Sequence, residues 1–156
     1  MREALKLAKK AAALGEVPVG AVVVLDGKII GRGYNRREMD QDGLAHAELA
    51  AIKKACKKIG SWRLEDCDLY VTLEPCPMCT GGIINTRIKR VFIGAKDPKG
   101  GAMGGVTNLL EHPWNHHPEI HWGILEEECS EILRAFFKDL RAQKKAKKQA
   151  LCDPSK

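Results

Sequence analysis

Two short stretches of the chain concentrate residues able to hold a metal and move a proton: His46-Ala47-Glu48 and Pro75-Cys76-Pro77-Met78-Cys79. Proline is tolerated in the first turn of a helix, where its missing N–H costs nothing. The spacing therefore predicts Cys76 and Cys79 one turn apart at a helix N-terminus, where free N–H groups favour thiolates. Two thiolates on neighbouring turns make half of a tetrahedral zinc site. A structural site needs four protein ligands, but the sequence has no second Cys-x-x-Cys, and Cys56, Cys67, Cys129 and Cys152 are scattered. His46 supplies a third ligand and leaves one position for water, which is the catalytic arrangement.

Two thiolates cancel the charge of a zinc ion, so such a site is a weaker acid than one with three neutral ligands. A nearby base would help to deprotonate water, and Glu48 is the candidate. Residues two apart on a helix point away from each other. Glu48 is therefore expected to reach the water and shuttle its proton rather than chelate beside His46. His-x-Glu alone is a weak signal, and Pro-Cys-x-x-Cys alone fits a redox pair or half a zinc finger. In this order and in one chain, the two together match the signature of zinc deaminases.

These residues need a scaffold, and the hydrophobic pattern supplies one. Arg2–Leu14 has helical spacing and ends at Gly15. Gly20–Leu25 and Lys28–Tyr34 are β-rich runs joined by Asp26-Gly27, a strong hairpin signal. A helix is expected over Ala45–Ile59, a strand over Asp68–Leu73, a helix over Cys76–Arg87 and a strand over Arg90–Gly94. A Gly-rich loop over Asp97–Gly105 precedes a short helix at Val106–Glu111, a fifth strand at Ile120–Leu125 and a long helix at Glu126–Lys148. The order predicts a three-layer α/β/α sandwich with a mixed five-stranded sheet, antiparallel at the hairpin and parallel after it. One domain is expected over residues 1–150, with a frayed tail at 151–156.

Composition agrees with a single globular domain: 156 residues, 44% apolar and 29% charged. The longest apolar run, Ala21–Leu25, is far too short to span a bilayer, and Met1–Leu14 lacks a signal-peptide core. A cytoplasmic, membrane-free protein is the expectation, and there close cysteine pairs more often bind metal than form disulfides. The net charge of +6 is not spread evenly: residues 1–133 hold 18 basic and 18 acidic side chains, residues 134–156 hold 8 and 2. A concentrated basic tail attracts polyanions such as nucleic acid. It also suits the negative pole of a helix, so the tail alone leaves both readings open.

The chain resembles the cytidine-deaminase superfamily and, within it, the bacterial tRNA-specific adenosine deaminases. The resemblance runs from about Glu16 to about Lys148. It is carried by Glu-Val-Pro-Val-Gly-Ala-Val at 16–22, Tyr-Asn-Arg at 34–36, Ala-His-Ala-Glu at 45–48, Trp-Arg-Leu at 62–64, and Leu-Tyr-Val-Thr-Leu-Glu-Pro-Cys-Pro-Met-Cys at 69–79. Gly-Ala-Lys-Asp at 94–97, Asn115-His116, Gly-Ile-Leu at 123–125, Glu128-Cys129 and Phe136-Phe137 extend it beyond the metal motif. It implies a cytidine deaminase-like fold and one zinc ion per subunit on His46, Cys76 and Cys79, with Glu48 as proton shuttle. The implied reaction is hydrolytic deamination of adenosine to inosine at the wobble position of an arginine tRNA anticodon, by a homodimer.

For the substrate, the resemblance implies that Asn35 bonds the purine edge, that Ala47 lets its backbone approach the base, and that Val17 and Leu73 wall the pocket. Asp97 is placed near the RNA backbone, Phe137 (with Phe136) on flanking bases, and Arg141 with Lys144–Lys148 on phosphates; Lys96 and Lys99 are further phosphate candidates. By residue type alone Asn35 would make a turn, and Val17 and Leu73 would be core. The sequence departs from the family at Thr80-Gly81-Gly82 and in the loop Glu111–Pro118, which carries Trp114. Rival functions are a deaminase of free bases or nucleosides, a non-catalytic zinc-stabilised RNA-binding module, and a redox protein using Cys76 and Cys79.

Overall fold

The structure, a computed structural model, describes residues 1–151. Helix α1 (Arg2–Ala13) leads into the hairpin β1 (Gly20–Leu25) and β2 (Lys28–Tyr34). Its turn residues Asp26 and Gly27 both have positive φ, 48° and 73°, which matches the turn to the twist of the flanking strands. A single helical turn, α2 (Arg37–Asp40), precedes α3 (Ala47–Ile59). Then come β3 (Asp68–Leu73), α4 (Pro77–Asn85), β4 (Arg90–Ala95), a 3₁₀ turn at Leu109–Glu111, β5 (Glu119–His121) and α5 (Glu126–Leu151).

The sheet order is β2-β1-β3-β4-β5. β1 pairs antiparallel with both β2 and β3, while β3–β4 and β4–β5 are parallel, as the α4 crossover requires. α1 and α5 cover one face and α3 and α4 the other. The mixed five-stranded sandwich is thus the expected one. Among the described residues, no helix is long and apolar enough to cross a membrane.

Apart from shifts of one or two residues at element ends, four elements differ from the sequence-based expectation. The fifth strand is three residues at 119–121, because Gly123 and Leu125 take positive φ (76° and 52°) and turn the chain into α5. The helix expected over 106–111 shrinks to its last turn, capped by the Asn108 side chain, which accepts from the Leu110 N–H. α2 was not anticipated. α5 continues to Leu151, so the tail assigned to 151–156 begins inside a helix and otherwise lies outside the described residues.

The core lies between the sheet and α3/α4, where Ala47, Ala51, Ala55, Val71, Ile83, Val91 and Ile93 are buried. β2 lies close against α3 because Gly31 and Gly33 face Ala51 and Ala47: a Cβ at either would run into the helix carbonyl oxygen. This contact sets how closely α3, whose first turn carries Glu48, packs on β2. Gly82, one of the departures on α4, has a similar use, since a Cβ there would lie 2.7 Å from the Leu49 side chain.

Candidate active site

His46 and Cys76 occupy matching positions: each is the residue before the first turn of a helix, with extended backbone (ψ 151° and 173°). The helix expected to begin at Ala45 therefore begins at Ala47. His46 and Glu48 are not two residues on one helix, as assumed above. His46 precedes the helix and Glu48 lies in its first turn, so both line the same cavity. Pro77 at the first position of α4 leaves Cys76 at its N-cap and Cys79 buried one turn in.

The ligand atoms converge. His46 Nδ1 lies 3.6 Å from Cys76 Sγ and 3.5 Å from Cys79 Sγ, and all three lie within 4.8 Å of one another. A tetrahedral zinc ion with Zn–N near 2.0 Å and Zn–S near 2.3 Å places N and S about 3.5 Å apart. The three residues thus fit a zinc ion in both donor chemistry and spacing.

The electrostatics are those of a site arranged for a cation. The Cys76 thiol falls to about 4, because it accepts hydrogen bonds from Cys79 and His46 against the opposing effect of burial. Cys79 is pushed up by that same hydrogen bond and by burial, so in the metal-free chain it holds the proton. His46 is raised, first by its hydrogen bond to Cys76. Glu48, 4% exposed, is pushed up to about 7 by burial, with its own backbone N–H and His46 opposing.

Of these groups His46, Glu48 and Cys76 line a cavity of about 220 Å³, walled also by Val17, Val19, Asn35, Arg37, Ala47, Leu73, Glu74 and Asp97. All the pocket residues proposed from the sequence are therefore at the site. Asn35 makes the turn that its residue type predicts. Its Oδ1 accepts from the Arg37 N–H (3.2 Å) in a turn, and its Nδ2 donates to the Val17 carbonyl (3.2 Å), yet it still lines the cavity.

Phe137 and Arg141 do not line this cavity. They line a second groove, about 820 Å³, which shares Val17, Leu73 and Asp97 with the first and continues between α5 and the loop after β4. Lys96, Lys99, Arg134 and Lys138 edge it, and Lys96 also lies 5.4 Å over the Trp122 ring. Phe137 is 39% exposed and meets Phe136 edge-to-face. Trp114, by contrast, lies in a loop tied elsewhere: its Nε1 donates to the Leu109 carbonyl, and Arg87 holds the Asn115 carbonyl.

Besides Val19, three polar residues at or beside the site were not read from the sequence. Arg37 sits on the unanticipated α2. Glu16 is buried and accepts from the Met39 N–H at 2.6 Å, fixing that turn. Glu74 is buried just before the cysteine loop. For Glu74 the dense glycines at 100, 101, 104 and 105 were a usable signal, since so many glycines mark a close backbone approach.

The family model for MafB19-like deaminases matches residues 1–141. A tRNA-specific adenosine deaminase of Bacillus subtilis (strain 168) is 53% identical over 154 residues, covering 98% of this chain and 96% of that protein. A structure solved in a study of A-to-I editing by tRNA:A34 deaminases at the wobble position superposes with a TM-score of 0.81 at 46% identity, covering 85% of this chain and 97% of that one. A guanine deaminase from Bacillus subtilis is 47% identical with a TM-score of 0.59, over 61% of each chain.

Proposed function

The chain belongs to the MafB19-like deaminase family, and from that premise we propose that it deaminates adenosine to inosine at the wobble position of a tRNA anticodon. The observation that carries the reading is the continuity of the two cavities. A base-sized pocket lined by Glu48, His46 and Cys76 opens into an apolar groove edged by Lys96, Lys99, Arg134, Lys138 and Arg141. A free base needs the first and has no use for the second.

A zinc ion on His46, Cys76 and Cys79, one per chain, would act as a Lewis acid and make water acidic enough to attack near neutral pH. Glu48 accepts the proton of the attacking water on its carboxylate and returns it to the departing amino nitrogen. Adenosine and water thus become inosine and ammonia. Asn35, Val17, Leu73 and the backbone at Ala47 orient the base, and Asp97 stands at the junction of pocket and groove. A base must leave its stack to enter, so an unpaired loop is the accessible substrate.

Beyond the groove, residues 141–151 of α5 are exposed on all sides, which suits Arg141 and Lys144–Lys148 to phosphates. We assign an arginine tRNA as substrate, a homodimer as the working form and the cytoplasm as its place. The 47% identical guanine deaminase keeps free-base deamination as the second reading.

The test is single-turnover deamination by the zinc-loaded protein, offered an anticodon stem-loop with a wobble adenosine beside free adenosine, guanine and cytidine. Inosine is expected in the stem-loop only. Turnover of a free base with the RNA untouched would overturn the substrate and leave the zinc chemistry standing.

A further inference from the structure

We propose that Glu74 is a positioning residue that sets Asp97, at the substrate side of the pocket, against the metal-binding loop. The inference rests on the reading above of Asp97 as a substrate-side residue.

Glu74 directly follows β3 and precedes Pro75-Cys76, and it is 2% exposed. A carboxylate so buried ordinarily pairs with a cation. Glu74 instead accepts three backbone N–H groups, all from the loop after β4. Oε2 takes that of Asp97 (2.9 Å); Oε1 takes those of Met103 (3.0 Å) and Gly105 (2.8 Å). The loop is shaped around this group. A Cβ at Gly101 would fall on the carboxylate, and one at Gly105 would lie 2.7 Å from Oε2.

The backbone on either side closes the same joint. The Glu74 N–H donates to the Ala95 carbonyl (2.8 Å), and the Ala102 N–H donates to the Pro75 carbonyl (2.9 Å). One residue thus fastens the cysteine loop to the wall that carries Asp97. At Asp97, the backbone N–H is held by Glu74, and Oδ1 accepts from Lys99 (2.9 Å) and Gly100 (3.1 Å). The side chain is fixed at the mouth where pocket and groove meet.

Glu74→Gln is a selective probe. One amide oxygen can keep Met103 and Gly105, but the amide nitrogen then faces the Asp97 N–H, donor against donor. The bond lost is the one to the pocket residue.

The experiment measures KM and kcat on the stem-loop, zinc content, and hydrogen exchange over residues 97–105. Glu74→Gln is expected to keep one zinc per chain, to exchange at least tenfold faster at 97–105 with α3 and α4 unchanged, and to raise KM about tenfold with kcat within twofold. Asp97→Ala should raise KM similarly, and the double variant should be no worse than the worse single. Gly101→Ala, which disturbs the joint from the loop side, should reproduce the KM effect with Glu74 intact.

An unchanged KM despite faster exchange, KM effects that multiply in the double variant, or loss of zinc would each overturn the inference. If wild type processes a free base and not the stem-loop, the substrate reading falls separately. The same comparison on that base then decides the role of Glu74.

Discussion

Replacing Glu48 by Gln should remove activity and, in metal-free protein, add stability that grows with pH. The native-state value is about 7 against an ordinary 4.5, because burial penalises the carboxylate. Between those values the folded chain holds a proton that the unfolded chain has released. Stability therefore falls as pH rises through this window. From the two values, the cost of carrying Glu48 is about 1 kcal/mol at pH 5 and about 3 kcal/mol at pH 8. Glutamine has the shape of the neutral acid and escapes this cost. In urea, with m near 2 kcal/mol/M, the variant's midpoint should exceed that of wild type by roughly 0.5 M at pH 5 and 1.5 M at pH 8. Urea unfolding of both proteins, chelated and reduced, at the two pH values measures this directly. Zinc-loaded turnover should meanwhile fall by ~10²–10⁴. A midpoint difference that does not change with pH, or turnover like that of wild type, would refute the assignment of Glu48 as a buried acid–base group.

Two further outcomes are expected. Gly33→Ala drives a methyl group into the Ala47 carbonyl, where a backbone must move rather than a side chain. It should cost about 3 kcal/mol in urea unfolding, at the upper end for overpacking, and lower the zinc affinity through His46; a stability like that of wild type would mean that α3 does not depend on this contact. Removing residues 144–156 should weaken RNA binding and reduce the slope of log affinity against log salt by roughly 2 to 3, at ~0.7 for each lysine meeting a single-stranded phosphate. An unchanged slope would place the lysines of 144–148 on solvent.

Much of the site was readable because its chemistry sits in local spacing. Pro77 fixes a helix start, and the start fixes Cys76 and Cys79 one turn apart. Asp26-Gly27 likewise fixed the hairpin, whose strands fall where the pattern put them. The position of His46 was misjudged by one helical boundary. At that boundary the Ala45 carbonyl accepts from the Arg36 N–H just beyond β2 and not from the helix, a contact the local sequence of the helix does not contain. Phe137 and Arg141, assigned by resemblance to flanking bases and phosphates, line the groove beside the pocket, since α5 crosses beside β4 and does not reach Glu48. Glu16 and Glu74 escaped notice because their partners are backbone N–H groups 23 to 31 residues away, and backbone donors leave no mark in a sequence.

The distribution of charge suits one small domain to both a metal and a polyanion. The buried acids are Glu16, Glu48 and Glu74. The acceptor bonds of Glu16 and Glu74 come from backbone N–H groups, and Glu48 is eased by its own. Arginine and lysine pair with acids only where both partners are at least partly exposed, as in Arg36–Asp40, Arg90–Asp68 and Arg134–Glu127. An interior lysine or arginine near the thiolates would compete with the metal, and a paired lysine on α5 would be spent before RNA arrived. Among the described residues, no ion pair engages Lys138, Arg141 or the lysines of 144–148. With the buried Glu74 met by backbone N–H groups rather than by a cation, Lys96, Lys99, Lys138 and Arg141 stand outside the ion pairs among the described residues and edge the groove that shares Val17, Leu73 and Asp97 with the pocket.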